Sequence, residues 1–301
     1  MKGAFIPMLN HTSTGRKIFL PLNYILLMLL ATLCIFPMLH VLALSLSSST
    51  AVVAGQVKLW PVGFNLMSYK FALDKPEFTN AFLVSLQRIT LGVPINLFMT
   101  LFIAYPLSKE KKAFRARGFF AWFFLITILF SGGLIPSYMV ISRVGLIDKI
   151  WALVIPGAVP VFNVILLLNF FRGLPKELEE AAYIDGAGHI KTLMKIYLPL
   201  SKPALATIAL FIIVGHWNSW FDGLIYMNSP QNYPLQSYLQ TTVINIDTRM
   251  MTERDVELLK MINDRTSKAA EIFIAMIPIL LIYPFLQRYF TTGIVLGSVK
   301  G

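Results

Sequence analysis

The sequence predicts an all-α membrane protein with six transmembrane helices and a cytoplasmic helix–turn–helix coupling loop between the fourth and fifth of them. Of its 301 residues, 56% are hydrophobic and only 14% are charged, whereas charged residues make up about a quarter of a typical soluble domain. Apolar runs of about 20 residues or more recur along the whole chain, and each is long enough to cross a bilayer. The lysines and arginines also cluster in alternate connecting segments, as the topology of such a protein requires.

The six predicted spans are distributed evenly, which favours one membrane domain over residues 1–301. Each span should be helical, because lipid offers no hydrogen-bond partner to backbone N–H and C=O groups. Their approximate bounds are 18–46, 81–107, 119–141, 150–171, 203–227 and 269–290.

Details of individual spans follow from their residues. The first apolar run is longer than the core of a typical signal peptide, which has roughly 7–15 residues, so we interpret it as an uncleaved signal-anchor. Gly132, Gly133 and Pro136 predict a kink in the third span, with a gate hinge as the alternative. Pro278 and Pro284 predict a kinked packing helix at the sixth.

The charge distribution orients the chain. With the N-terminus inside, fifteen of the 26 lysines and arginines fall in the segments that face the cytoplasm, and ten fall outside. The net charge of +11 is therefore a topology signal and does not indicate nucleic-acid binding. Both termini are expected in the cytoplasm, and so is the segment between the fourth and fifth spans.

Three loops should then face outward, at about 47–80, 142–149 and 228–268. The third contains a capping-box-like pattern that begins at Thr252 and is followed by apolar residues at helical spacing. We expect a short external helix near 253–263.

The cytoplasmic segment 174–199 contains the pattern EAA-x3-G-x9-I-x-L-P with every fixed position filled. Pro175 suits the start of a helix, and the acids after it face the positive end of the helix dipole. Gly186 and Gly188 should end this first helix, and a second should run from about His189 to Tyr197. The residues at the fixed positions are Glu180, Ala181, Ala182, Gly186, Ile196, Leu198 and Pro199.

This segment resembles the coupling loop of permease subunits of bacterial ATP-binding-cassette (ABC) importers. The resemblance implies that Glu180, Ala181, Ala182 and Gly186 couple the membrane helices to an ATPase subunit, and that Ile196, Leu198 and Pro199 form the packing end. It further implies a bacterial inner-membrane protein whose partners are a second permease, two ATPase subunits and an external solute-binding protein. No P-loop occurs in this chain, so ATP and magnesium would belong to the partner ATPases.

The layout of the whole chain is similar to the sugar-importer group that includes maltose permeases. The stretches 130–136 and 293–301 resemble its polysaccharide and complex-oligosaccharide branch, whose permeases work as unlike pairs. The resemblance implies an oligosaccharide substrate, with an acidic one as a possibility that Arg88 raises.

No arrangement for covalent catalysis or for metal binding stands out. The four histidines are widely separated, and the one cysteine, Cys34, lies in the first apolar run. We therefore expect a subunit that is not an enzyme and binds no cofactor of its own.

Polar and aromatic residues inside the spans are candidates for a substrate path. Arg88 could extend to the outer interface, line a cavity or contact another helix, and in a cavity it would favour an acidic sugar. The residues from 216 to 222 could bind a sugar by ring stacking and hydrogen bonds, or form an interfacial aromatic belt. Asn163 could bond a neighbouring helix or line the path. The candidates are Arg88, Asn163, His216, Trp217, Asn218, Trp220 and Asp222.

Three rival hypotheses remain. A self-sufficient secondary transporter or channel would require a relay of acids in mid-membrane, and only Asp222 approaches one. An exporter half would typically carry a fused ATPase and long cytoplasmic helices. A membrane scaffold would leave the ordered cytoplasmic motif unexplained.

Overall fold

A computed structural model of the protein describes residues 14–244 and 264–297. The regular structure in these residues is helical, and no strand occurs among them. All six predicted apolar segments form helices, which confirms the all-α membrane fold class. In chain order the helices are α1 (Thr14–Ser45), α2 (Ser49–Val53), α3 (Met67–Asp74), α4 (Pro76–Ser108), α5 (Arg117–Leu129), α6 (Leu134–Arg143), α7 (Trp151–Val154), α8 (Val161–Arg172), α9 (Lys176–Ile184), α10 (His189–Thr192), α11 (Leu198–Leu200), α12 (Lys202–Asn218), α13 (Phe221–Tyr226), α14 (Leu235–Ile244) and α15 (Asp264–Gly297).

Three of the spans, α1, α4 and α15, are single helices that are long and apolar enough to cross a membrane. The third span is broken, as the predicted kink implied: the chain bends by 115° between α5 and α6, at residues 130–133. Gly133 stands at this break with a φ of +84°, a conformation that a side chain would strain. Pro278 and Pro284 lie inside α15, which continues past both.

The fourth and fifth spans are each divided, which the sequence analysis did not predict. A short α7 and a longer α8 make up the fourth span, and residues 155–160 between them contain Pro156 and Pro160. In the fifth span, α12 ends at Asn218 and α13 begins at Phe221. Prolines explain the first break, since they cannot donate a helical hydrogen bond.

The described residues form two compact units, one of residues 14–70 and 264–273 and the other of residues 71–244 and 274–297. The single permease domain expected from the sequence stays a prediction. In the first unit, α1 is exposed along most of its length, and the segment after it folds back on its end. There the Ser47 hydroxyl accepts a hydrogen bond from the Val62 amide at 3.0 Å.

In the second unit α4 is the central helix, and it packs mainly against α8 and α12. Toward its C-terminal end it shares an apolar core with Val164, Leu167, Leu193 and Ile208. Its N-terminal half packs with Trp217, Leu235 and Ala275 in a second core.

The connecting segment 228–268 contains α14, a helix that the sequence analysis missed. Leu235 and Leu239 of α14 are buried in the second core, and the spacing of these leucines was an available signal. The external helix expected near 253–263 lies outside the described residues, and so does the end of the chain after residue 297.

Candidate functional site

The segment 174–199 folds as a helix, a turn and a second helix, in the order expected. Pro175 is the residue immediately before α9, and Glu177 and Glu179 occupy the first turn of that helix. Their carboxylates lie at the positive end of the helix dipole, which stabilises the start of α9. Gly186 follows the helix with a φ of +74°, a left-handed conformation suited to glycine after a helix C-terminus.

The second helix differs from the expectation at its end. It was predicted to stop near Tyr197, but α10 continues through a π-helical turn at Leu193–Tyr197 into α11, which contains Pro199. The proline ring crowds the carbonyl four residues earlier, which accounts for a wider turn before it. A bend of 81° then separates this helix from α12.

Several residues of this segment are exposed, and we call the surface that they form the docking face: Leu178, Glu180, Ala181, Ile184, Ile190 and Met194. Ile184 is the extreme case, with 86% of its surface exposed. Ala182 points the other way and is buried. Ile196 and Leu198 pack against the core that surrounds the C-terminal part of α4, whereas Gly186 and Pro199 remain exposed.

Beneath the docking face lies a polar cluster that the sequence analysis did not identify, and Glu179 is its centre. The Lys109 ammonium donates to Glu179 Oε1 at 2.6 Å. The hydroxyls of Tyr183 and Tyr197 donate to Oε1 and Oε2 at 2.7 and 2.6 Å. The Tyr183 hydroxyl also lies 2.9 Å from His189 Nδ1.

Aromatic rings complete the surroundings of Lys109. Its ammonium lies 3.9 Å from the centre of the Tyr105 ring and 4.1 Å from that of Tyr197, distances at which cation–π attraction is effective. Only 8% of the Lys109 side chain is exposed, and 17% of that of Glu179. The cluster is therefore a largely buried ion pair whose polar atoms are bonded on several sides.

The charges in this cluster hold each other in place. Burial alone would raise the pKa of Glu179, but the hydrogen bonds from Lys109, Tyr183 and Tyr197 outweigh it and lower that pKa. Burial lowers the pKa of Lys109, and the hydrogen bond to Glu179 opposes that effect. Burial and the hydrogen bonds to Glu179 raise the pKa of both Tyr183 and Tyr197, so the two hydroxyls remain donors.

The C-terminal end of α4 is held by other cations as well. The Leu107 carbonyl accepts from Arg117 Nε at 3.1 Å and from Arg172 Nη2 at 3.3 Å. These arginines belong to α5 and α8, so two further helices contact the last turn of α4 through polar groups. An exposed ion pair between Lys176 and Glu110 lies nearby, with 70% and 64% of the two side chains accessible.

A second polar network crosses the apolar part of the same unit. Arg88 of α4 is 4% exposed and forms a two-pronged ion pair with Asp222 of α13, with its Nη1 3.1 Å from Oδ1. Its Nε donates to His216 Nδ1 at 3.2 Å. His216 must then carry its proton on Nε2, which lies 2.7 Å from Asn96 Oδ1.

The network ends on the backbone and is closely packed. Asn96 Nδ2 donates to the Gly157 carbonyl at 2.5 Å, and Asp222 Oδ1 also accepts from the Ser219 hydroxyl at 2.7 Å. Gly92 lies between the two α4 members of the network, and a Cβ atom there would come within 2.5 Å of His216 Nε2. The network therefore joins α4, α12, α13 and the break before α8.

This geometry bears on the interpretations of Arg88. The side chain is 4% exposed and pairs with Asp222 of α13, so the structure shows a contact between helices, while the interfacial and cavity interpretations stay predictions. Because Asp222 neutralises the guanidinium, Arg88 offers no free charge to an acidic ligand in this conformation.

The remaining candidates for a substrate path are scattered. Trp217 is 1% exposed, and its indole N–H donates to the Ala275 carbonyl at 3.0 Å, so it is a core residue here. Asn163 is also buried. Asn218 and Trp220 are exposed next to the network, and Phe221 of the same stretch is exposed as well.

Several functional candidates were missed because their partners are distant in sequence. Glu179 adjoins the motif residue Glu180, but Lys109 lies 70 residues away. Asn96 was an available signal, because it is a polar residue within the second span. Glu271 of α15 was another, because it is a 1% exposed carboxylate and so a second acid, besides Asp222, within the predicted spans. Among the described residues no group of His, Cys, Asp and Glu suits a metal ion.

Comparison with known proteins gives consistent results. Residues 4–295 match the family described as binding-protein-dependent transport system inner membrane component. Protein LplC of Bacillus subtilis is 38% identical over 99% of this chain and all of its own length. The polygalacturonan/rhamnogalacturonan transport system permease protein YtcP of the same organism is 37% identical over 95% of this chain and 99% of its own. The crystal structure of a bacterial ABC transporter involved in the import of the acidic polysaccharide alginate contains a chain that is 31% identical, with a TM-score of 0.85, covering 96% of this chain and 100% of that one.

Proposed function

The chain belongs to the family of binding-protein-dependent transport system inner membrane components, and from that premise we propose that it is a permease subunit of an ABC importer for fragments of acidic polysaccharides. The folded segment with the exposed docking face is the observation that carries the importer assignment. The similarity to YtcP, a polygalacturonan/rhamnogalacturonan permease, and to the transporter of the acidic polysaccharide alginate supports the substrate class.

The docking face is proposed to contact an ATPase subunit. Glu180 and Ala181 are exposed beside Ile184, so a partner cleft could bury apolar surface and pair with the carboxylate at once. Gly186 allows the turn after α9, while Ile196, Leu198 and Pro199 connect the segment to the membrane helices. ATP and magnesium would be bound by that partner, and this subunit would do no covalent chemistry.

The complete assembly is proposed to contain a second, similar permease, two ATPase subunits and an external solute-binding protein. The excess of cations in the segments around α9 supports a cytoplasmic location for that helix and for both termini. The outer side is proposed to receive the ligand from the binding protein.

The polar network is proposed to form part of the wall of the substrate path. Asn218 and Trp220 are exposed beside it. The Asn218 amide could hydrogen-bond to a sugar hydroxyl, and the Trp220 ring could stack on the face of the sugar. Arg88, His216 and Asp222 would hold these residues in place, and Asn163 and Trp217 would pack behind them.

Uptake by the reconstituted complex tests the proposal. Proteoliposomes that contain both permeases and the ATPases, supplied with the binding protein, should import labelled oligogalacturonate with ATP and not without it. Maltodextrin of equal length is the matched neutral control. Import of the neutral oligomer alone would refute the acidic substrate class, and ATP-independent import by this chain alone would refute the importer assignment.

A further inference from the structure

The cluster around Glu179 connects the segment 174–199, which carries the docking face and which we call the docking segment, to α4, the central helix of the second unit. Lys109 is the residue that follows α4, and Glu179 lies in the first turn of α9. Tyr197, at the end of the π-helical turn, bonds the other oxygen of the same carboxylate. One side chain thus ties both helices of the docking segment to the end of α4.

The hydrogen bond between Lys109 and Glu179 is not needed merely to attach α9 to the end of α4. The exposed pair between Lys176 and Glu110 already links the start of α9 to the residues after α4. Such exposed pairs contribute little, because water and salt screen them. The pair of Lys109 and Glu179 is instead held between two aromatic rings and largely removed from water, where electrostatic interactions are stronger and directional.

The same helix also carries two members of the polar network, Arg88 and Asn96. Arg88 lies on α4, 20 positions before the last residue of that helix, Ser108, which corresponds to about 30 Å along the helix axis, and Lys109 follows directly. A displacement of α9 that is transmitted to Lys109 would therefore move the helix that carries Arg88 and Asn96. The apolar core around the C-terminal part of α4 makes this region stiff enough to transmit it.

We infer that Glu179 and Lys109 form the joint through which the docking segment moves α4, and that Glu179, rather than the motif residue Glu180, is the positioning residue on the inner side of α9. Glu180 is exposed and belongs to the surface that meets the partner, whereas Glu179 passes the motion on. This inference rests on the proposed function, since it assigns the path by which ATPase motion enters the membrane helices.

The test compares single and double neutral variants of the buried pair in the complete complex. Glu179→Gln and Lys109→Met each leave one buried charge without its partner, and either single variant could fail to assemble for that reason alone. The double variant removes both charges, and replacing a buried pair by neutral side chains of similar volume is often harmless to folding. Met also fits the aromatic surroundings of Lys109. Glu110→Gln, at the exposed pair, is the matched control.

Two quantities are measured, the assembly of the complex by co-purification and the number of sugar molecules imported for each ATP hydrolysed. Coupling between sites typically amounts to about 5–150-fold, so we expect the double variant to assemble normally and to import about tenfold less per ATP. The control should match the unaltered protein. Normal import by the double variant would show that the pair is only structural and would overturn the inference.

Hydrogen exchange gives a result that does not depend on the substrate. In the unaltered complex, binding of a non-hydrolysed ATP analogue should change amide exchange both in α9 and in the last turns of α4. In the double variant only α9 should change, and an unaltered response of α4 would overturn the joint. If no sugar is imported by the unaltered complex, the proposed function fails while this measurement still decides on the joint.

Discussion

Replacing Arg88 by Met should destabilise the protein because it leaves Asp222 without its ion pair in a largely buried site. Breaking a buried pair by removing one partner costs about 3–5 kcal/mol. Asp222 retains hydrogen bonds from the Ser219 hydroxyl and the Gly223 amide, and 25% of its side chain is exposed. These compensations place the expected loss at the lower end, about 3 kcal/mol.

The double variant Arg88→Met/Asp222→Asn separates the ion pair from the packing of the arginine. With no charge left, its free energy of unfolding should return to within about 1 kcal/mol of the unaltered protein. The assay is unfolding by sodium dodecyl sulfate titration in mixed micelles, with Lys176→Met at an exposed pair as the control that should change nothing. A loss below about 1 kcal/mol in the single variant, or an equal loss in the double variant, would refute the buried pair.

The same pair gives an expectation for transport. Because Asp222 neutralises Arg88, the Arg88→Met variant should lose uptake of uronate and neutral oligomers to the same extent. A loss confined to uronate oligomers would mean that Arg88 exchanges Asp222 for a substrate carboxylate.

Three further predictions concern other parts of the molecule. Glu180→Lys should leave membrane insertion intact, because the residue is exposed, but separate ATP hydrolysis from uptake, and normal uptake would refute its coupling role. Gly92→Ala should destabilise the protein by about 1–3 kcal/mol, since the new Cβ would lie 2.5 Å from His216 Nε2, and an unchanged unfolding midpoint would argue against this close approach. Hydrogen bonds from Ser229 and Asn232 lower the pKa of Asp148 to about 2. The stabilisation that Asp148 gives to the loops it joins should therefore be complete above its ordinary pKa of 3.8 and disappear as the pH falls toward 2. Cleavage of these loops by pepsin should reveal this loss, and Asp148→Asn should remove the pH dependence.

The apolar segments and the docking segment could be predicted from the sequence because both depend on local signals. Run length identifies a span, and the spacing from Glu180 to Pro199 identifies the motif, without knowledge of any distant residue. The break at Gly133 was equally local, since consecutive glycines signal it.

What could not be predicted depends on contacts between distant residues. Arg88 meets Asp222 across 134 positions, and the choice among its three environments needed that partner. Glu179 and Glu180 are neighbours with equal charge, and only the position of Lys109 shows which of them faces inward. Trp217 was placed with the possible sugar-binding aromatics, but its indole N–H is used by the Ala275 carbonyl in the core.

Co-purification from the native membrane shows directly whether this chain works only with partners. The protein, tagged and extracted in mild detergent, should bring down an ATPase and a second permease, and Glu180→Lys should weaken the retention of the ATPase alone. A chain that emerges by itself, and that transports an oligosaccharide when reconstituted by itself, would contradict the account and identify a self-sufficient transporter.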